Sequence, residues 1–135
     1  MEPKKSSHTP VHFEIPVDNM ARAQKFYSEL FGWNIFGAGD NFSEYFMIQT
    51  VPTDEKGMLK EPGINGGMLM RSNPGQQILN YISVDNIDES LTKLEQLGGT
   101  ILMPKMPIAG IGWNCVVKDT EGNSFGMIQE DSSAA

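Results

Sequence analysis

The chain has 135 residues, a formal net charge of −7 and a pI near 4.7. This length fits one domain with its own core, and the acidic balance argues against binding to nucleic acid or an anionic membrane, because both favour clustered Lys and Arg. Its single cysteine, Cys115, excludes a disulfide framework and a cysteine metal cluster. With no signal-peptide pattern and no run of 18 apolar residues, we expect a cytoplasmic protein without a membrane span.

The first predicted elements are a strand and a helix. Residues 11–17 alternate apolar and polar side chains, which predicts a strand with His12 and Glu14 on one face. The opposite face carries Phe13, Ile15 and Val17. A helix is predicted over residues 20–30, with Asp18 or Asn19 as its N-cap. The apolar face of this helix comprises Ala23, Phe26, Tyr27 and Leu30.

Gly32 ends the first helix, and three more strands are predicted before a turn at residues 73–75. Their predicted ranges are 33–36, 42–50 and 66–71. A long polar loop at residues 51–64 separates the last two strands, and loops of this length are usually functional or mobile.

The second half repeats the order of the first. Its predicted elements are a strand at 78–84, a helix at 87–97, a strand at 100–103, a loop at 104–112 and strands at 113–118 and 124–129. The helix directs Ile87, Leu91, Leu94 and Leu97 inward and ends at Gly98-Gly99.

The two halves also align in sequence. Residues 12–36 and 79–103 align without a gap at an offset of 67 positions, so that Val-Asp-Asn recurs at the start of each helix. Such an internal repeat predicts two copies of one structural unit. We therefore predict an α+β fold of two βαβββ modules, at residues 11–72 and 73–130, in one compact domain. Residues 1–10 and 131–135 are predicted to be flexible tails.

Two strings in the sequence, VDNMARAQKFYSELFGW and DTEGNSFGMIQ, resemble the vicinal oxygen chelate superfamily. That superfamily includes glyoxalases, bleomycin-resistance proteins and extradiol dioxygenases. The resemblance covers residues 11–130 and implies two half-cups around a cleft, related by a pseudo-twofold axis. It also implies a homodimer, because members of this length commonly pair.

The resemblance assigns four positions to metal ligands, one on the first and one on the last strand of each module. In metal-dependent members these are His, Gln or Glu. The corresponding residues here are His12, Gly67, Leu79 and Gly126. Only His12 carries a donor atom, whereas a catalytic divalent site ordinarily needs about three protein ligands. We therefore expect no metal cofactor.

Strand alternation predicts which side chains line the cup. Besides His12 and Glu14, they are Gly67, Leu69, Leu79, Tyr81, Gly126 and Ile128, and Trp113 follows a loop that could bring it to the cleft wall. An apolar floor with a few polar groups is typical of a small-molecule pocket. Two alternatives stay open: the glycines either leave room for a ligand or relieve crowding, and Trp113 either walls the cleft or packs in the core.

His12 and Glu14 are the candidate catalytic pair. A histidine beside a carboxylate can act as a general base. Alternatively, His12 is hydrogen-bonded to Tyr81 or to water and has no catalytic role. Cys115 has no activating Lys or His nearby in sequence, so we expect it to be buried and unreactive.

Three functions are compatible with this pattern. The first is a metal-independent protein that binds a small organic molecule in its cup, as the resistance proteins do. The second is a glyoxalase-like lyase or isomerase that uses His12 and Glu14, with or without a divalent metal completed by a partner chain. The third is a subunit whose role is association with another protein.

Overall fold

The computed structural model describes residues 8–39 and 44–135. The order βαβββ occurs twice, which confirms the predicted α+β class and repeated topology. The elements of the first copy are β1 (Pro10–Val17), α1 (Met20–Phe31), β2 (Asn34–Gly37), β3 (Tyr45–Gln49) and β4 (Gly66–Met70). Those of the second are β5 (Leu79–Ser83), α2 (Ile87–Gln96), β6 (Thr100–Ile108), β7 (Gly112–Lys118) and β8 (Ser124–Glu130).

The chain forms two compact units whose boundary differs from the predicted modules. His12–Ile78 make up the N-terminal unit, and Leu79–Ala135 make up the C-terminal unit together with residues 8–11. Residues 8 and 9 join the C-terminal unit because their backbone bonds to Ser83: the Ser83 amide donates to the Thr9 carbonyl at 2.9 Å, and the His8 amide donates to the Ser83 carbonyl. The predicted N-terminal tail, residues 1–10, is therefore structured from His8 onward, and its first seven residues lie outside the described range.

In the N-terminal unit the strand order is β2-β3-β4-β1, and β1 runs parallel to β4. The core consists of Ile15, Val17, Ile48 and Met68, with Phe13 packed against it, so the predicted apolar face of β1 is confirmed. The opposite face of the same strand carries His12 and Glu14.

Helix α1 begins and ends where its capping residues predict. The Asn19 side chain accepts a hydrogen bond from the Arg22 amide at 2.9 Å, and Gly32 ends the helix with a left-handed φ of 74°. Tyr27 packs against the core by stacking on Trp33, with ring centroids 5.4 Å apart. Phe26 and Leu30, however, are each 58% exposed, so the inward stripe is narrower than predicted.

The C-terminal unit has the strand order β5-β8-β7-β6, with β5 parallel to β8. Its core is Val84, Ile87, Cys115, Val117 and Met127. Leu91 and Leu94 pack against this core as predicted, but Leu97 is 68% exposed. Leu97 caps the helix at φ −90° and ψ 3°, outside helical geometry, so its side chain leaves the helical stripe.

Two further predictions for the C-terminal unit are wrong. The loop expected at residues 104–112 is largely strand, because β6 continues to Ile108 through Pro104 and Pro107. Proline is compatible with strand structure at an edge, and β6 is the outermost strand of its unit. The expected tail at 131–135 packs instead: Ala134 is 4% exposed, and its carbonyl accepts a hydrogen bond from the Gly110 amide at 2.8 Å.

None of the helices within the described residues has the length and apolar character needed to cross a membrane.

Candidate functional site

His12, Glu14 and Tyr45 form a hydrogen-bonded network on one face of the N-terminal sheet. The hydroxyl of Tyr45 lies 2.7 Å from His12 Nε2 and donates to Glu14 Oε2 at 2.9 Å. Strands β1 and β3 supply these groups, and β4 lies between them in the strand order. The three side chains are partly buried, so their hydrogen bonds are shielded from bulk water.

The hydrogen bonds of this network indicate where Tyr45 and His12 carry their protons. A phenol carries one proton, and because Tyr45 donates it to Glu14, the Tyr45 oxygen accepts from His12. His12 is then the tautomer with its proton on Nε2. Burial lowers the pKa of His12 from its ordinary 6.5 to about 4, so this imidazole is neutral at pH 7.

Tyr45 also covers Gly67, the position that the resemblance assigns to a metal ligand. Gly67 lies opposite Glu14 on β4, and a Cβ atom there would overlap the ring and hydroxyl of Tyr45. The neighbouring Gly66 is covered on the opposite face by the ring of Phe13. Of the two alternatives for Gly67, relief of crowding is the one that these contacts support.

The C-terminal unit has an analogous arrangement around Gly126, the other last-strand position. Tyr81 pairs directly with Gly126 across β5 and β8, and its ring occupies the space that a Cβ atom on Gly126 would need. Tyr81 is 5% exposed. Both glycines are therefore matched to a tyrosine ring in their own unit.

The remaining predicted cup residues are apolar side chains of intermediate exposure. Leu69 lies opposite Tyr45 on the same face of the N-terminal sheet. In the C-terminal unit, Leu79 and Ile128 lie on β5 and β8. Leu69 thus places an apolar surface beside the polar network.

Trp113 packs against the core of the C-terminal unit. Strand alternation puts it on the face of β7 that bears Cys115 and Val117, and it contacts the core cluster there. Its indole N–H donates to Asp131 Oδ2 at 3.1 Å, and the ammonium of Lys105 lies 4.6 Å from the ring centroid. These contacts favour the structural alternative for Trp113.

Cys115 is fully buried, and burial raises the pKa of its thiol to about 11. The sulfur is therefore protonated at neutral pH, as expected for an unreactive structural cysteine.

The donor set does not fit a divalent metal centre. Gly67, Leu79 and Gly126 lack donor side chains, and within residues 8–39 and 44–135 no group of three His, Cys, Asp or Glu could hold a metal ion. His12 Nε2 and Glu14 Oε2, which could bind a cation, both contact the Tyr45 hydroxyl instead.

Sequence reasoning missed Tyr45 and named Tyr81 as the alternative partner of His12. A signal for Tyr45 was present in the glycine pair at 66–67, because glycine inside a strand often marks close approach of another group. The sequence alone does not say which side chain makes that approach.

Comparisons with known proteins agree with the fold. Residues 9–50 match the family model described as bleomycin resistance protein-like N-terminal. A Mycobacterium bovis protein provisionally named as the glyoxylase CFP32 is 28% identical over 137 residues, as is its Mycobacterium tuberculosis counterpart. These matches cover 94% of this chain and 49% of the relative, so the chain spans about half the length of these curated relatives.

Solved structures of low sequence identity share the architecture. A glyoxalase/bleomycin resistance protein/dioxygenase superfamily member from Vibrio splendidus matches with a TM-score of 0.63 and 12% identity, covering 90% of this chain and 98% of the other. Methylmalonyl-CoA epimerase from Mycobacterium tuberculosis matches with a TM-score of 0.65 and 11% identity, covering 97% and 93%.

Proposed function

We propose that the chain is a member of the vicinal oxygen chelate superfamily that binds a small organic molecule without a catalytic metal. The match of residues 9–50 to the bleomycin resistance protein-like N-terminal model and the architecture shared with a superfamily structure support this proposal. The binding surface is the sheet face that bears His12, Glu14 and Tyr45. The observation that carries this proposal is the position of Tyr45, whose ring fills the place of a ligating side chain at Gly67.

The composition of this face suits an organic ligand. Tyr45 and Leu69 offer aromatic and aliphatic surface, and the network beside them offers hydrogen-bonding groups. Pockets for small molecules typically combine mostly apolar walls with a few polar groups that orient the ligand. In the C-terminal unit, Leu79 and Ile128 provide apolar surface of intermediate exposure, whereas Tyr81 is buried.

Ligand-observed NMR with a library of small aromatic and aliphatic acids, amides and amines tests the proposal. Hits are titrated against the wild type, Tyr45→Phe and the matched control Tyr27→Phe, since Tyr27 packs on the helix side against Trp33. We expect Tyr45→Phe to weaken binding about tenfold, as loss of one buried hydrogen-bonding group does, and Tyr27→Phe to leave it unchanged. Equal affinity of the wild type, Tyr45→Phe and His12→Ala for every hit would place the site elsewhere.

Elemental analysis of the purified protein tests the metal-independent part of the proposal. We expect no stoichiometric transition metal. About one Ni, Zn, Fe or Mn per chain, lost in His12→Ala, would contradict it.

The second candidate function is a glyoxalase-like lyase or isomerase, and the Tyr45 bridge favours it specifically. A hydroxyl held between an imidazole and a carboxylate is suited to general acid–base chemistry. In this alternative Glu14 takes a proton from one carbon of the substrate and returns it to the adjacent carbon, while the Tyr45 hydroxyl orients the carboxylate. The hemithioacetal of methylglyoxal and glutathione is the substrate to test, with turnover expected to disappear in Glu14→Gln. Turnover that is absent, or unchanged in Glu14→Gln, would exclude this alternative for that substrate.

The proposal includes a homodimer in the cytoplasm. Support for the dimer comes from the family resemblance, because members of this length commonly pair. Sedimentation at micromolar concentration tests the dimer, and a single monomeric species would contradict it.

A further inference from the structure

We infer that Tyr45 determines the chemistry of this site by excluding metal from it. Its ring closes position 67 to any ligating side chain, and its hydroxyl engages the imidazole and carboxylate that could otherwise bind a cation. This inference deepens the proposed function and rests on it.

The first step of the argument is steric. A Cβ atom at position 67 would overlap the Oη, Cζ and Cε1 atoms of Tyr45. The overlap is with the rigid ring, which cannot bend aside as a flexible chain end can. Any residue larger than glycine at 67 must therefore displace Tyr45, and displacement breaks both hydrogen bonds of its hydroxyl.

The second step is electrostatic. To bind a divalent cation at this site, His12 would have to offer an imidazole lone pair and Glu14 a charged carboxylate. The Nε2 atom of His12 is instead committed to the Tyr45 oxygen as a donor, and Glu14 Oε2 accepts the Tyr45 proton. Tyr45 thus couples two potential ligands to each other through a neutral hydroxyl.

The C-terminal unit provides an independent example of the same pairing. The Tyr81 ring lies where a Cβ atom on Gly126 would fall, although Tyr81 comes from β5 whereas Tyr45 comes from β3. The shared feature is a glycine on the last strand covered by a tyrosine from the same unit. This feature closes both last-strand positions that the family resemblance assigns to metal ligands.

A double-mutant cycle on stability tests the steric step without any ligand. Gly67→Ala is expected to lower Tm by roughly 4–12 °C, the range for overpacking a core site in a chain of this size. Gly37→Ala is the matched control, because a Cβ atom at that strand position meets nothing within 4 Å. In a Tyr45→Ala background, Gly67→Ala is expected to cost no more than the control. A Gly67→Ala effect equal to that of Gly37→Ala in the wild-type background would overturn the inference.

Calorimetric titration with Mn²⁺ tests the chemical consequence. Wild type should show no stoichiometric binding, because Tyr45 engages both His12 and Glu14. Gly67→Glu should bind only weakly, because its side chain must compete with the Tyr45 ring for the same space. Tyr45→Ala/Gly67→Glu should bind one Mn²⁺ at least about tenfold more tightly than either single variant, since three donors become accessible together. Tyr45→Ser/Gly67→Gln serves as a second variant should the first fail to fold.

The outcomes separate the two proposals. Stoichiometric Mn²⁺ binding by the wild type, lost in His12→Ala, would refute the metal-independent function. No binding by the wild type together with no gain in either folded double variant would refute only the role of Tyr45. Tight binding by Gly67→Glu alone would also refute that role, because Tyr45 would then be no barrier.

Discussion

His12 should make the protein sensitive to mild acid. Burial lowers its pKa from 6.5 to about 4, so between these two values the unfolded chain binds a proton that the folded chain excludes. Above pH 6.5 both states hold a neutral imidazole, so this group does not change the stability. Below pH 6.5 the free energy of unfolding falls as the pH falls, until the folded state is also protonated near pH 4. The full difference of about 2.5 in pKa, at 1.36 kcal/mol for each unit, corresponds to a loss of about 3 kcal/mol in the free energy of unfolding.

The assay is urea unfolding of the wild type and His12→Gln at pH 7 and pH 5. The two proteins contain the same carboxylates, so the difference between their pH profiles of unfolding free energy reports the titration of His12. We expect the stability of the wild type relative to His12→Gln to fall by about 2 kcal/mol between pH 7 and pH 5. His8→Gln is the matched control because His8 is exposed. Parallel pH profiles for the wild type and His12→Gln would show that His12 is not held neutral and would remove the basis for its assigned tautomer.

Three further predictions concern the scaffold. Asn19→Ala and Asn86→Ala should each lower the free energy of unfolding by about 1 kcal/mol, because each side chain caps a helix; chemical denaturation checks this, and no loss in either variant would contradict the caps. Ile87→Ala should cost about 2–5 kcal/mol as a fully buried deletion, whereas Leu97→Ala at the exposed end of α2 should cost less than about 0.5 kcal/mol; equal costs would argue against the observed burial. Cys115 should react with a disulfide reagent only when the protein unfolds, because its thiol is buried and its pKa is raised to about 11; rapid reaction under native conditions would refute that environment.

The sequence predicted the parts of the fold that depend on local patterns. The Asp-Asn pairs predicted both helix starts, and alternation predicted the buried face of β1. Phe26 and Leu30 were misplaced because helical spacing defines a stripe but not how much of that stripe the sheet covers. Pro104 and Pro107 were read as loop residues because a strand's position at an edge is a property of the sheet, not of its own sequence.

The candidate site was predicted in part. Alternation placed His12 and Glu14 on one face, and the family resemblance assigned Gly67 and Gly126 to the last-strand positions. Tyr45 was missed because it approaches from a strand 31 residues beyond Glu14, and no local periodicity encodes that contact. The glycine pair signalled close approach of some group, and only the three-dimensional structure identified that group.

The outer strand of the C-terminal unit limits how this protein can associate. An unpaired strand edge exposes backbone groups that another chain can extend, and β6 also exposes Leu102 and Met106. Pro104 and Pro107 supply no amide hydrogen, and the register of β6 shifts twice between Ile101 and Met106. An incoming strand would therefore find no backbone N–H donor at these two prolines. This disfavours continued extension of the sheet, and it disfavours a dimer in which two β6 edges pair.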